Sequence, residues 1–132
     1  MKRHTMALII STVFLFPLWS CARDSEILPV HDEVLVYALP FDLVYLRTME
    51  AIEKHPDWRL ETTDKEMGII TLKNFRFSSF ADADKRTATL LLKRVSKKET
   101  SVEFAPESRT VVGGDEILSV IKQYLSREVS LR

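Results

Sequence analysis

From Glu33 onward the chain switches between two hydrophobic periods. Glu33 to Leu39 (EVLVYAL) is dense in β-formers and predicts a first strand, which Pro40 ends. Phe41, Val44, Tyr45, Thr48, Met49 and Ile52 then recur at helical spacing, predicting an amphipathic helix from Phe41 to His55. Asp42 lies near its start and Lys54 and His55 at its end, which suits the helix dipole; Glu50 and Lys54 are spaced to pair, and Pro56 closes the segment.

A period of two returns in Trp58 to Thr63 and Gly68 to Phe77, with Asp64 to Gly68 as the turn between them. After a loop from Ser78 to Asp84, Arg86 to Val95 and Thr100 to Ala105 predict two more strands around the polar turn Ser96-Lys97-Lys98-Glu99, with Val102 and Phe104 facing inward. Pro106 to Arg109 and Gly113-Gly114 punctuate the end of the sheet. A final helix from Asp115 to about Arg127 has an apolar face of Ile117, Leu118, Val120, Ile121, Tyr124 and Leu125. Asp115, Ser119, Lys122, Gln123 and Ser126 form its polar face, and Asp115 is placed to be its N-cap. The order β-α-β-β-β-β-α, joined by hairpins, predicts an α+β fold: a mostly antiparallel sheet of about five strands with two helices on one face.

The start of the chain follows another pattern. Met1-Lys2-Arg3-His4 is basic and Thr5 to Trp19 carries no charge, the layout of a secretory signal. The apolar stretch is shorter than the roughly 20 residues that span a bilayer comfortably, and Pro17 interrupts it. It ends in Leu18-Trp19-Ser20-Cys21, which resembles the bacterial lipobox, although Trp19 is bulkier than the residue usual there. The resemblance implies cleavage before Cys21 and a diacylglyceryl group, with palmitate-like acyl chains, on its thiol. Several such chains anchor a protein that has no spanning helix. Ala22, where an aspartate would favour retention at the inner membrane in the enteric sorting pattern, implies the periplasmic face of the outer membrane. Two other fates stay open: cleavage after Ala22 at the small-x-small site Ser20-Cys21-Ala22, and retention of the segment as a signal anchor.

This divides the chain into a signal peptide at 1–20, a lipidated N-terminus and tether at 21–32, and one domain at 33–132. Eleven tether residues reach at most about 35 to 40 Å, so the domain is expected close to the bilayer. The order and texture of Glu33 to Arg127 resemble the small helix-grip-like domains of bacterial envelope lipoproteins, including the BamC type of the outer-membrane β-barrel assembly machinery.

Charge changes the picture little. Basic and acidic residues number 19 each, and losing Lys2 and Arg3 leaves 17 against 19, a balance that provides no field for nucleic acid. The single cysteine rules out an intrachain disulfide.

Candidate chemistry is sparse. His4, His31 and His55 lie in the signal, the tether and a helix end, with no second ligand at metal spacing. Asp82 and Asp84 lack the glycine and glutamate of a calcium loop, and Gly113-Gly114 precede a helix without a phosphate-binding fingerprint. No serine stands in a nucleophile elbow, and Glu103 and Glu107 sit at a strand end, so no enzyme and no cofactor are expected.

Two surfaces are candidate partner contacts. One is the basic hairpin of Lys93, Arg94, Lys97 and Lys98, with Lys85 and Arg86 before it, suited to anionic headgroups or an acidic protein. The other is the aromatic segment Phe75, Phe77 and Phe80 around Arg76. Leu43 and Leu46, off the apolar stripe of the first helix, are a weaker third. The expected role is a non-enzymatic accessory subunit, bound to the membrane through Cys21 and to an envelope protein through its surface. The alternative is a carrier enclosing a lipid or other apolar ligand between sheet and helix.

Overall fold

Strict alternation in the central strands decides which face of the sheet is covered. In the computed structural model, which describes residues 29–76 and 83–131, the strands are β1 (Leu35–Tyr37), β2 (Trp58–Asp64), β3 (Ile69–Asn74), β4 (Thr87–Arg94) and β5 (Thr100–Phe104). The helices are α1 (Phe41–Glu53) and α2 (Gly114–Ser130), giving the order β-α-β-β-β-β-α. Ile70, Leu72, Ala88, Leu90, Leu92, Val102 and Phe104 all point to one side and are buried there with Ile117, Ile121 and Leu125 of α2 and Val44, Ala51 and Ile52 of α1.

The sheet is antiparallel throughout, in the order β1-β5-β4-β3-β2. The three consecutive hairpins from β2 to β5 are local, whereas β1 closes the far edge by pairing with β5, Val36 opposite Ser101. The β1-α1-β2 connection therefore carries α1 from one edge of the sheet to the other. The two helices run antiparallel: Arg47 of α1 reaches Glu128 near the end of α2 at 2.5 Å, while His55, just past α1, lies 3.6 Å from Glu116 at the start of α2. Arg47 and Lys54 also bracket Glu50, at 2.6 and 2.5 Å.

The sequence-based limits shift in ways the backbone explains. Strand β1 is shorter than expected, because its partner β5 offers pairing only opposite Leu35 to Tyr37. Helix α1 starts with the Pro40 carbonyl accepting the N–H groups of Leu43 and Val44, and ends at Glu53, before His55. The N-cap of α2 is Gly113, not Asp115: Gly113 adopts φ of 77°, a left-handed conformation that favours glycine, and the helix begins one residue later. Asp115 is instead in the first turn, where its charge suits the helix dipole. His31, assigned to the tether on sequence, belongs to the fold, with only 8% of its surface exposed.

The β2–β3 turn depends on Asp64, whose Oδ1 accepts the Met67 N–H at 2.9 Å, and on Gly68, with φ of 69°. A Cβ on Gly68 would press into the Leu92 carbonyl, whose carbon would lie 3.2 Å away, so backbone conformation and space both require glycine. The Gly68 carbonyl accepts the Leu92 N–H at 2.7 Å, which extends the β3–β4 ladder into the turn.

Gly68→Ala is expected to cost at least about 2 kcal/mol, and Ile121→Ala about 2 to 5 kcal/mol, in urea unfolding, while Ser119→Ala on the polar face of α2 stays within about 0.5 kcal/mol. Glu50 gives a pH signature. Hydrogen bonds from Lys54 and then Arg47 hold its carboxyl below the usual carboxylate range. Its stabilisation is thus present above the unfolded-state pKa and lost as pH falls through the lower folded-state value. The stability gap between wild type and Glu50→Gln should narrow across that acidic window in urea titrations at stepped pH.

Candidate interaction surface

With both helices on one side, the other face of the sheet is covered by no helix among the described residues. Its residues follow from the register. Ile69 lies opposite Leu91, Leu91 opposite Glu103, and Val36 opposite Ser101. Thr62, Thr71 and Thr89 form the adjacent row. Val34 and Val36, on the edge strand and its lead-in, are about half exposed, at 49% and 56%. The aliphatic side chains fall in two patches, Ile69 with Leu91 and Val34 with Val36, separated by Ser101 and the Lys93–Glu103 ion pair, while Lys73–Glu61 lies toward the β2 edge. Glu61 occupies the irregularity in β2 where the pairing with β3 slips between Leu60 and Thr62.

The basic hairpin does not act as one patch. Successive residues of a strand point to opposite faces, so Lys93 turns to Glu103 on the open face while Arg94 lies over the Phe41 ring, 4.4 Å from its centroid, on the helix face. Lys97 and Lys98 stand on the exposed turn, and among the described residues neither has an ionic partner. Lys85 and Arg86 lie in a short 3₁₀ turn, Ala83–Arg86, at the other end of β4. Lys65, on the β2–β3 turn beside the hairpin, pairs with Asp42 at 2.8 Å and holds the Asp42 carboxyl below its ordinary range.

Phe75 follows β3 at the end of the sheet opposite that hairpin. It is 45% exposed, and the Arg59 guanidinium covers its ring at 5.0 Å. Phe77, Phe80 and Asp82 lie outside the described residues, as do the signal peptide, Cys21 and the tether through Leu28. Leu43 packs on the core and Leu46 is exposed.

His55 and Glu103 are tied into structure. The His55 Nδ1 accepts the Asp57 N–H at 3.2 Å, which puts the ring proton on Nε2, facing Glu116. Arg76 approaches the same carboxylate at 3.6 Å. Glu103 is only 15% exposed at its side chain and is held by Lys93. Among the described residues no three His, Cys, Asp or Glu side chains gather as a metal site, and no helix is long and apolar enough to cross a membrane.

The interior is filled where a carrier would need space. Phe104, Leu90, Leu72, Ile117 and Ile121 are all within about 1% of full burial. The concavities found include a surface groove of about 270 Å³ between residues 30–33 and the first turns of α2, and one of about 400 Å³ lined by Thr87, Thr89, Glu107 and Ser108. Within the core, Tyr37 Oη, Thr48 Oγ1 and Trp58 Nε1 are buried with no hydrogen-bond partner among the described residues.

The feature that sequence reasoning passed over is the seat of His31. Its signal was the glycine pair before α2, since a second glycine, at a helical position, is costly unless something needs the space. No protein-family model matches the chain, and no curated protein matches it in sequence.

Burial, with Glu33 adding to it, pushes the Tyr37 phenol up to about 12. A folded-state pKa above the unfolded value near 10 means stability fully present below pH 10 and lost as pH rises through about 12. Tyr37→Phe should flatten that alkaline loss in denaturant titrations. At neutral pH it should leave stability unchanged or slightly raised, because it removes an unpaired buried hydroxyl.

Proposed function

We propose that the chain is a lipid-anchored envelope lipoprotein, held by Cys21 at the periplasmic face of the outer membrane. Its domain serves there as a non-enzymatic accessory subunit for a protein partner. The observation that carries the partner role is the one-sided fold: both helices share one face of the sheet and leave Val34, Val36, Ile69 and Leu91 on the other. Aliphatic patches on a pleated surface, with the Lys93–Glu103 ion pair between them, suit contact with another protein. The signal-like start and the lipobox-like Leu18 to Cys21 support the anchoring part of the reading. The carrier alternative draws no support from an interior so closely filled by Phe104, Leu90, Ile117 and Ile121.

Metabolic labelling with a fatty-acid analogue in the native host should mark the wild-type protein and leave Cys21→Ala unlabelled; equal label in both would end the anchoring claim. Photo-crosslinkers at Val36 and Leu91 should then capture one defined protein, while the same group at Ser119 or Gln123 on the exposed side of α2 captures none. Equal capture from both sides would remove the open sheet face as the contact.

A further inference from the structure

Two glycines stand side by side before α2, and they answer to different demands. Gly113 serves the backbone, with φ of 77°. Gly114 has no such conformation and is the first residue of the helix, where a side chain is ordinarily welcome. What forbids one is the imidazole of His31. A Cβ on Gly114 would fall onto the ring, against Cδ2 and 2.7 Å from Nε2, and 3.0 Å from Val111 Cγ1.

The ring is held from several directions. The His31 N–H donates to the Arg109 carbonyl at 2.7 Å. Nε2, which must carry the proton to meet a carbonyl, donates to Val111 O at 3.3 Å. Phe104 lies beneath, its centroid 5.9 Å from that of the imidazole. Beyond this seat Val30 is 60% exposed, so burial begins at His31.

We propose that His31 is a latch that pins the membrane tether against the α2-start end of the sheet, shortening its free length and biasing that end toward the bilayer. The proposal rests on the lipid anchor at Cys21 read above. With His31 seated, only residues 22–30 are left to join Cys21 to the fold, a reach of about 35 Å at full extension. The tether emerges at the end of the sheet where α2 starts, beside Arg109, Thr110 and the ends of β3 and β5. The turns at 65–68 and 95–99 lie at the opposite end, about 25 Å away along β4. Because the tether leaves from the α2-start end, that end lies nearer the lipid on average than Lys97 and Lys98 at the opposite end.

The notch is tested by a double-mutant cycle on the full chain. Gly114→Ala should lower the urea midpoint when His31 is present and lower it much less, or raise it, in the His31→Ala background, where only the Val111 contact remains to offset alanine's better helix propensity. Equal shifts in both backgrounds would overturn the notch. The orientation is tested with lipidated protein from host membranes, first checked by mass spectrometry for lipid on Cys21, in phosphatidylethanolamine–phosphatidylglycerol vesicles carrying a headgroup-depth quencher. A fluorophore at Thr110 should be quenched several-fold more than one at Lys97, and the contrast should shrink in His31→Ala. Lipid on Cys21 with a contrast that is absent, or unchanged by His31→Ala, overturns the latch and leaves the anchor standing. Absence of lipid overturns the anchor itself, and the orientation with it.

Discussion

The loop from Arg109 to Gly113 is where the molecule is tied together. The carbonyls of Arg109 and Val111 hold His31, ahead of β1. The Val112 carbonyl accepts from the Asn74 side-chain amide at the end of β3, and the Val112 N–H donates to Lys85 O, ahead of β4. Segments distant in sequence thus meet on successive peptide groups of one short loop, and Gly113 then turns the chain into α2. Buried amides and carbonyls are costly when unpaired, so this loop can hold one conformation only while all of its partners are in place. A second tie at the other end of the sheet, from Thr100 Oγ1 to Leu39 O at 3.0 Å, holds the β1–α1 connection in the same way.

The one-sided arrangement follows from these ties. With β1 fixed at one edge and β2 at the other, α1 has to cross the sheet, and α2, launched from the loop, lies antiparallel beside it on the same face. Arg47, Glu50, Lys54 and Glu128 lace the two helices together at their solvent side, and Lys54 also covers the Tyr124 ring at 5.6 Å. No chain among the described residues is left to cover the second face. The threonines there, Thr62, Thr71 and Thr89, are β-branched side chains that fit a pleated surface facing water.

Much of this was legible in the sequence because it depends on local periodicity. The faces of both helices, the alternation in β3 and β4 and the turn at Asp64 to Gly68 follow from spacing alone, and the observed order of elements matches the expected one. What was hidden depends on contacts between distant residues. The burial of His31 needs Phe104, Val111 and Gly114, more than seventy residues away, and nothing in the polar run around it announces a core position. The N-cap of α2 was misassigned to Asp115 because an acidic residue before an apolar stripe is the usual signal, whereas a left-handed glycine ended the loop first. The basic hairpin read as one patch because sequence adjacency hides the alternation that sends Lys93 and Arg94 to opposite faces. Cys21 and the aromatic pair Phe77 and Phe80 fall outside the described residues.

The pairing of β1 with β5 also imposes an order in time. The hairpins from β2 to β5 close over short loops and can form as soon as they are made, but β1 has no partner until residues 100–104 are available, and His31 has no seat until Gly114 is. A chain delivered from its N-terminus therefore keeps its first strand waiting through most of its own length. Until β5 arrives, Val34 and Val36 belong to an unpaired strand, and whatever receives the emerging chain must shield that segment before the sheet can close over it.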